Sequence, residues 1–108
     1  MTKYMEKSIT ELHELLTKGE VTSEELIKES LEKSHEVQAK YNAFVTILEE
    51  ALDLAYELDN NFEEDNPLYG IPYACKDNFS TKGILTTGSS NTLKNFIPVY
   101  DATVVKKL

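Results

Sequence analysis

The stretch from Leu68 to Asn91 constrains the fold more than any other part of the chain. It reads Leu-Tyr-Gly-Ile-Pro-Tyr-Ala-Cys-Lys-Asp-Asn-Phe-Ser-Thr-Lys-Gly-Ile-Leu-Thr-Thr-Gly-Ser-Ser-Asn. Its apolar run, Ile71 to Cys75, predicts a short buried strand. The run ends in Lys76 and passes into the turn-forming pair Asp77-Asn78. A lysine at the end of a buried strand is costly, because an ammonium resists desolvation unless it is paired or neutralised. Two readings of Lys76 follow. In the first, the side chain snorkels out of the strand end into water. In the second, it is held in a low-dielectric site, where the neutral amine is favoured and acts as a base.

The rest of the chain alternates between helical patterns and short apolar runs. Ser8-Ile9-Thr10-Glu11 is a capping box opening a helix with Ile9, Leu12, Leu15 and Leu16 on one face. Lys18-Gly19 closes it. A second capping box, Thr22-Ser23-Glu24-Glu25, opens a longer helix carrying Leu26, Ile27, Leu31 and Val37. Ser30 and Ser34 share that stripe and are small enough for a neighbouring element to approach. Phe44-Val45-Thr46-Ile47, rich in β-branched and aromatic residues, predicts a strand. A helical period returns from Leu48 to Leu58 and fades into the acidic connector Asn60 to Pro67. Within the central stretch Gly83 to Thr87 reads as extended, and Asn91 to Asn95 as one helical turn. Asp101 is placed to cap a last helix starting at Ala102.

Strands separated by helices predict an α/β fold, with helices around a mixed β-sheet. Residues 1–66 form a mainly helical part and residues 67–108 a strand-turn part carrying Lys76. Two or three strands cannot fill a sheet that needs cover on both faces, and the last helix has barely begun at Leu108. The expectation is therefore a segment of a larger domain.

Several classes of function are disfavoured. The formal charge is -8, and the lysines are scattered among carboxylates without an arginine-rich patch. Phosphate-backbone binding needs clustered cations, so direct nucleic-acid binding is not expected. A single cysteine excludes an internal disulfide and a cysteine-based zinc site, and it suits a reducing compartment. With no apolar leader and no run of ~20 apolar residues, the expectation is a cytoplasmic chain with no membrane partner.

Most other polar features read as structural. Gly83 to Ser90 has the glycine spacing of a phosphate loop but lacks the lysine that should follow Gly88. His13 and His35 fall on different helices, are expected to face solvent, and do not suggest a metal site. Glu49-Glu50 and Glu63-Glu64-Asp65 read as solvated charge. Cys75, inside the expected strand, reads as a small buried hydrophobe.

On these residues the chain resembles the amidase signature family. The resemblance rests on Gly70-Ile71-Pro72, Lys76-Asp77-Asn78, Thr81-Lys82-Gly83, Thr86-Thr87, Asn95-Phe96 with Pro98, and Tyr100-Asp101-Ala102-Thr103-Val104-Val105. It extends to Thr10 to Leu16 and to Asn42-Ala43-Phe44-Val45, covering nearly the whole chain as the family's opening segment. The resemblance implies amide hydrolysis by a Ser–cis-Ser–Lys triad whose lysine falls on Lys76. Its two serines belong to a Gly- and Ser-rich stretch that is not among these residues, and Ser89-Ser90 lack its flanking glycine runs.

The likeness is strongest to family members that release ammonia from glutamine inside a heterotrimeric amidotransferase. It then implies glutamine as substrate and no cofactor or metal in this segment. ATP and Mg would belong to a partner subunit, which would also make the main tRNA contacts. The chain departs from the family pattern at Tyr69, Tyr73-Ala74-Cys75, Ser80 and Ser89-Ser90-Asn91. A stand-alone amidase and a non-catalytic helical interaction module stay open as alternatives.

Overall fold

The computed structural model describes residues 4–108. They divide into two compact units, one ending at Pro72 and the other running from Tyr73 to Leu108.

The first unit is built on α1 (Ile9–Lys18), α2 (Ser23–Tyr41) and α3 (Ala51–Asn60). Both expected capping boxes form. Ser8 Oγ accepts the Glu11 amide while Glu11 accepts the Ser8 amide, and Thr22 and Glu25 repeat the exchange. Each box therefore satisfies one donor that the first helical turn cannot use internally. Gly19 ends α1 in a left-handed conformation, φ 72°, and Asn42 ends α2 in the same way. Leu12, Leu16, Val21 and Leu26 make the buried core, joined by Tyr4, Leu15, Phe62 and Ile71. Leu26 is fully buried, and α2 packs against α3, where Ala55 is also buried.

The acidic connector is irregular, as its composition predicts, but it is tied down at two aromatic residues. Phe62 packs on the core and stacks edge-on against Tyr69, with ring centroids 5.6 Å apart. The Tyr69 hydroxyl donates toward the carbonyls of Leu58 at 3.1 Å and Asn61 at 2.7 Å. The bond to Leu58 adds a donor to a last-turn carbonyl of α3, and the bond to Asn61 fixes its C-cap, which is not a glycine.

The expected α/β fold with a mixed sheet is not what forms: no described residue belongs to a strand. At Phe44 to Ile47 the Phe44 amide donates to Gln38 Oε1 at 2.7 Å, a local bond from the end of α2. Val45 is 55% exposed. In the Ile71–Cys75 run the Ile71 amide turns back to the Leu68 carbonyl at 3.2 Å. Tyr73 is 58% exposed, and Cys75 is exposed rather than packed. A β-rich composition describes a fit to a pleated, half-buried surface. Without a neighbouring strand to exchange backbone bonds, the same residues stay irregular.

The second unit is held mainly by turns and side-chain-to-backbone bonds. Two backbone bonds lay residues 83–86 beside residues 96–98: Gly83 to the Pro98 carbonyl and Thr86 to the Phe96 carbonyl, both at 3.0 Å. Pro98 has no N–H to return, so this pairing cannot extend as a ladder. The predicted helical turn forms as a 3-10 turn, Asn91–Leu93. The last helix, α4, spans Thr103–Lys107 with Ala102 at its N-cap and no side-chain cap. Asp101 stands one residue too early for the expected cap, and its carboxylate accepts the Lys82 amide at 2.7 Å instead.

Candidate functional site

Gly70-Ile71-Pro72 closes the first unit, and Gly70 has two reasons to be glycine. Its φ is 74°, a left-handed conformation that side chains disfavour. A Cβ at this position would also lie 3.2 Å from both Cβ and Oγ of Ser23. Ser23 is buried, and its hydroxyl donates to the Gly70 carbonyl at 2.7 Å. The same end of α2 receives the Asp59 carboxylate of α3, which accepts the amides of Ser23 at 2.7 Å and Glu24 at 3.0 Å. With Thr22 Oγ1 taking the Glu25 amide, the first turn of α2 has an acceptor for each leading donor.

Within the second unit, Lys76 opens a turn whose closing bond runs from the Phe79 amide to the Lys76 carbonyl at 3.1 Å. The lysine side chain is exposed. The residue after it is fixed on three sides. Asp77 Oδ1 accepts the Thr87 amide at 3.0 Å, and Asp77 Oδ2 accepts the Thr87 hydroxyl. The Asp77 carbonyl accepts the Gly88 amide at 2.8 Å.

Thr87 is buried, as is Thr86, whose hydroxyl donates to the Ile84 carbonyl at 3.1 Å. Gly88 and Ser89 both have positive φ, 57° and 59°, and the Ser89 amide folds back onto Thr87 Oγ1 at 3.1 Å. A positive φ at a non-glycine residue is uncommon and is held by its surroundings. Here the surroundings are the Thr87–Asp77 bonds.

The Thr87 hydroxyl is the main cause holding the Asp77 carboxyl below its ordinary value. The amides of Thr87 and Ser89 and the charge of Lys76 add to it, against an opposing desolvation. Tyr73 is shifted the other way. Partial burial of its hydroxyl pushes it above the ordinary tyrosine value, and the charges of Cys75 and Asp101 reinforce the effect.

Cys75, expected inside a strand, instead borders this turn. Its thiol lies 3.7 Å from the Lys76 carbonyl and 3.9 Å from Thr81 Oγ1. Lys82 contributes its amide to Asp101 while its side chain is exposed.

The histidines lie in the first unit. His35 is exposed and pairs with Glu49. His13, expected to face solvent, is half-buried, and its Nδ1 is buried without a hydrogen-bond partner. Its ring lies 6.4 Å from that of Phe62. Among the described residues no three His, Cys, Asp or Glu side chains converge as metal ligands. No described helix is long and apolar enough to cross a membrane.

The Asp77–Thr87 contact is absent from a local reading of the sequence, because its partners are ten positions apart on irregular segments. The available signal is that Lys76-Asp77-Asn78 and Thr86-Thr87 are both among the residues on which the family resemblance rests.

The family model for Amidase matches residues 25–108. Across its full length the chain is 49% identical to the A-subunit of glutamyl-tRNA(Gln) amidotransferase from Oenococcus oeni, of which it covers 23%. It is 46% identical to the protein of that name from Enterococcus faecalis, again over 100% of the chain and 22% of the relative. Over 94% of the chain it is 50% identical to the Geobacillus kaustophilus protein, covering 22% of it. The chain thus spans less than a quarter of the length of these relatives. With the Lys76-Asp77-Asn78 turn inside the matched region, the chain belongs to the Amidase family.

Proposed function

We propose that this chain is a segment of the ammonia-releasing subunit of a glutamyl-tRNA(Gln) amidotransferase. The observation that carries the reading is the 49% identity maintained over the whole chain to a protein of that name. In this reading Lys76 is the base of a Ser–cis-Ser–Lys triad, and the two serines come from sequence outside these 108 residues. A serine hydroxyl is a weak nucleophile until its proton is taken, and a neutral amine can take it through a bridging serine. The serine attacks the glutamine side-chain amide, ammonia leaves, and water releases glutamate. Backbone N–H groups stabilise the tetrahedral oxyanion. Lys76 is exposed in its own unit, whereas burial is what favours a neutral amine. The reading therefore requires the remaining length of the subunit to cover Lys76.

The ammonia passes to a partner subunit in a heterotrimeric, cytoplasmic complex. There, ATP and Mg bound by the partner would supply the activation of glutamyl-tRNA for amidation. This segment holds neither, and tRNA is contacted mainly by the partner. The charge of -8 supports that division of labour.

The test is Lys76→Ala in the complete subunit, assembled with its partners. Glutamine hydrolysis is expected to be nearly abolished, while amidation of glutamyl-tRNA with added ammonium continues. Near-wild-type glutamine hydrolysis by the assembled variant would overturn the assignment.

A further inference from the structure

We infer that Asp77 and Thr87 are positioning residues for Lys76, forming a latch that fixes the backbone from which the lysine projects. The inference deepens the reading of Lys76 as a base and rests on it. Three bonds join the residue after the lysine to Thr87-Gly88: the Asp77 carboxylate with the Thr87 amide, the same carboxylate with the Thr87 hydroxyl, and the Asp77 carbonyl with the Gly88 amide. A fourth, from the Phe79 amide to the Lys76 carbonyl, closes the turn on the lysine itself.

Thr87 is 6% exposed, a buried hydroxyl whose donor bond goes to Asp77 and whose oxygen also accepts the Ser89 amide. The left-handed pair Gly88 and Ser89 aims successive amides back at this point. A long flexible side chain is placed only as well as its Cα. Displacing a reacting group by about 1 Å can cost on the order of 10²-fold in rate. The latch is thus the part of this segment that sets where the amine can reach.

The experiment uses the complete subunit in its assembled complex and compares Thr87→Val, Thr87→Ser, Asp77→Asn and Lys76→Ala. Each is assayed for glutamine hydrolysis and for ammonium-dependent amidation of glutamyl-tRNA. Valine keeps the shape of threonine but cannot donate to Asp77. Thr87→Val is expected to lower kcat for glutamine by roughly 10- to 100-fold, and Asp77→Asn, which keeps one acceptor oxygen for the Thr87 amide, to lower it by less. Their KM for glutamine should stay within about twofold, because substrate contacts are untouched. Thr87→Ser, which restores the donor, should recover most of the rate.

A latch that only supports the fold would reduce both activities together, and that result would overturn the positioning role. A wild-type kcat in both Thr87→Val and Asp77→Asn, with Lys76→Ala inactive, would overturn it too while leaving the base assignment intact. Activity retained by Lys76→Ala would remove the base assignment itself, and the latch's proposed role with it.

Discussion

The hydroxyl of Ser23 donates to the carbonyl of Gly70 at 2.7 Å, joining positions 47 apart in sequence. This bond ties the start of α2 to the Gly70-Ile71-Pro72 segment at the end of the first unit. It gives the Gly-Ile-Pro motif a structural explanation: any residue larger than glycine at position 70 meets Ser23 and must also adopt a left-handed backbone.

Gly70→Ala should therefore destabilise the first unit by about 1–2 kcal/mol from backbone strain alone, with a further cost from the approach to Ser23. Ser23→Ala removes a buried hydroxyl and leaves the Gly70 carbonyl without this donor, at a cost of about 1 kcal/mol. Thermal or urea melts of the two single variants and the double variant test the relationship. The two changes should be less than additive, because alanine at position 23 relieves part of the crowding at position 70. Full additivity would contradict the contact.

The Asp59 carboxylate offers a separate prediction. It bonds the first two amides of α2 from a different helix. Asp59→Ala should lower stability by roughly 1–3 kcal/mol, since two donors at a partly buried helix end lose a charged acceptor. Asp59→Asn should cost less, because it keeps one acceptor oxygen. Equal melting of all three proteins would show that water satisfies those amides equally well.

These contacts mark what the sequence does and does not reveal. Both capping boxes are legible because their residues are three positions apart and the reciprocal bonds are local. The C-terminal Gly19 is legible for the same reason. Asp59 is not, since nothing near it in sequence announces a bond to Ser23. The strand expectations at Phe44–Ile47 and Ile71–Cys75 fail for a related reason. Strand formation depends on what lies alongside, and Gln38 and Leu68 take those amides locally instead. At the candidate site, Lys76 stands out through its chemistry. Thr87, which holds the following aspartate, is legible only once both segments are seen together.

The Asp77–Thr87 contact also predicts an acid dependence. The carboxyl of Asp77 is held below its ordinary value, so the folded state favours its ionised form. Its contribution to stability is present above the unfolded value, near 3.8, and is lost as pH falls toward and through the lower folded value. Asp77→Asn removes this contribution. A plot of stability against pH should then be flatter for the variant below about pH 4. An unchanged acid slope would mean that the carboxylate gains nothing from Thr87.

The charge distribution makes a prediction about nucleic acid. With 19 acidic residues against 11 lysines and arginines, the chain lacks the clustered cations that phosphate contacts require. Titration of labelled tRNA with this chain at physiological salt should show no saturable binding. Saturable binding with a steep salt dependence would contradict the assignment of tRNA contacts mainly to a partner.

The sharpest prediction separates charge from proton transfer at position 76. In the assembled complex, Lys76→Arg keeps a long cationic side chain, so a structural or ion-pairing role would tolerate it. A base would not, because a guanidinium stays protonated and cannot accept the serine proton. Loss of a single member of a serine-hydrolase triad lowers kcat by roughly 10⁴- to 10⁶-fold, and Lys76→Arg should approach the loss seen with Lys76→Ala. Ammonium-dependent amidation provides the internal check that the complex has assembled. Lys82→Ala supplies the contrast: the contribution of Lys82 to this unit is its backbone amide, donated to Asp101, and alanine retains that group. It should keep most of the glutamine-dependent rate. An assembled Lys76→Arg complex that hydrolyses glutamine at a near-wild-type rate would leave Lys76 as a solvent-reaching cation, and the proton acceptor would have to be sought elsewhere.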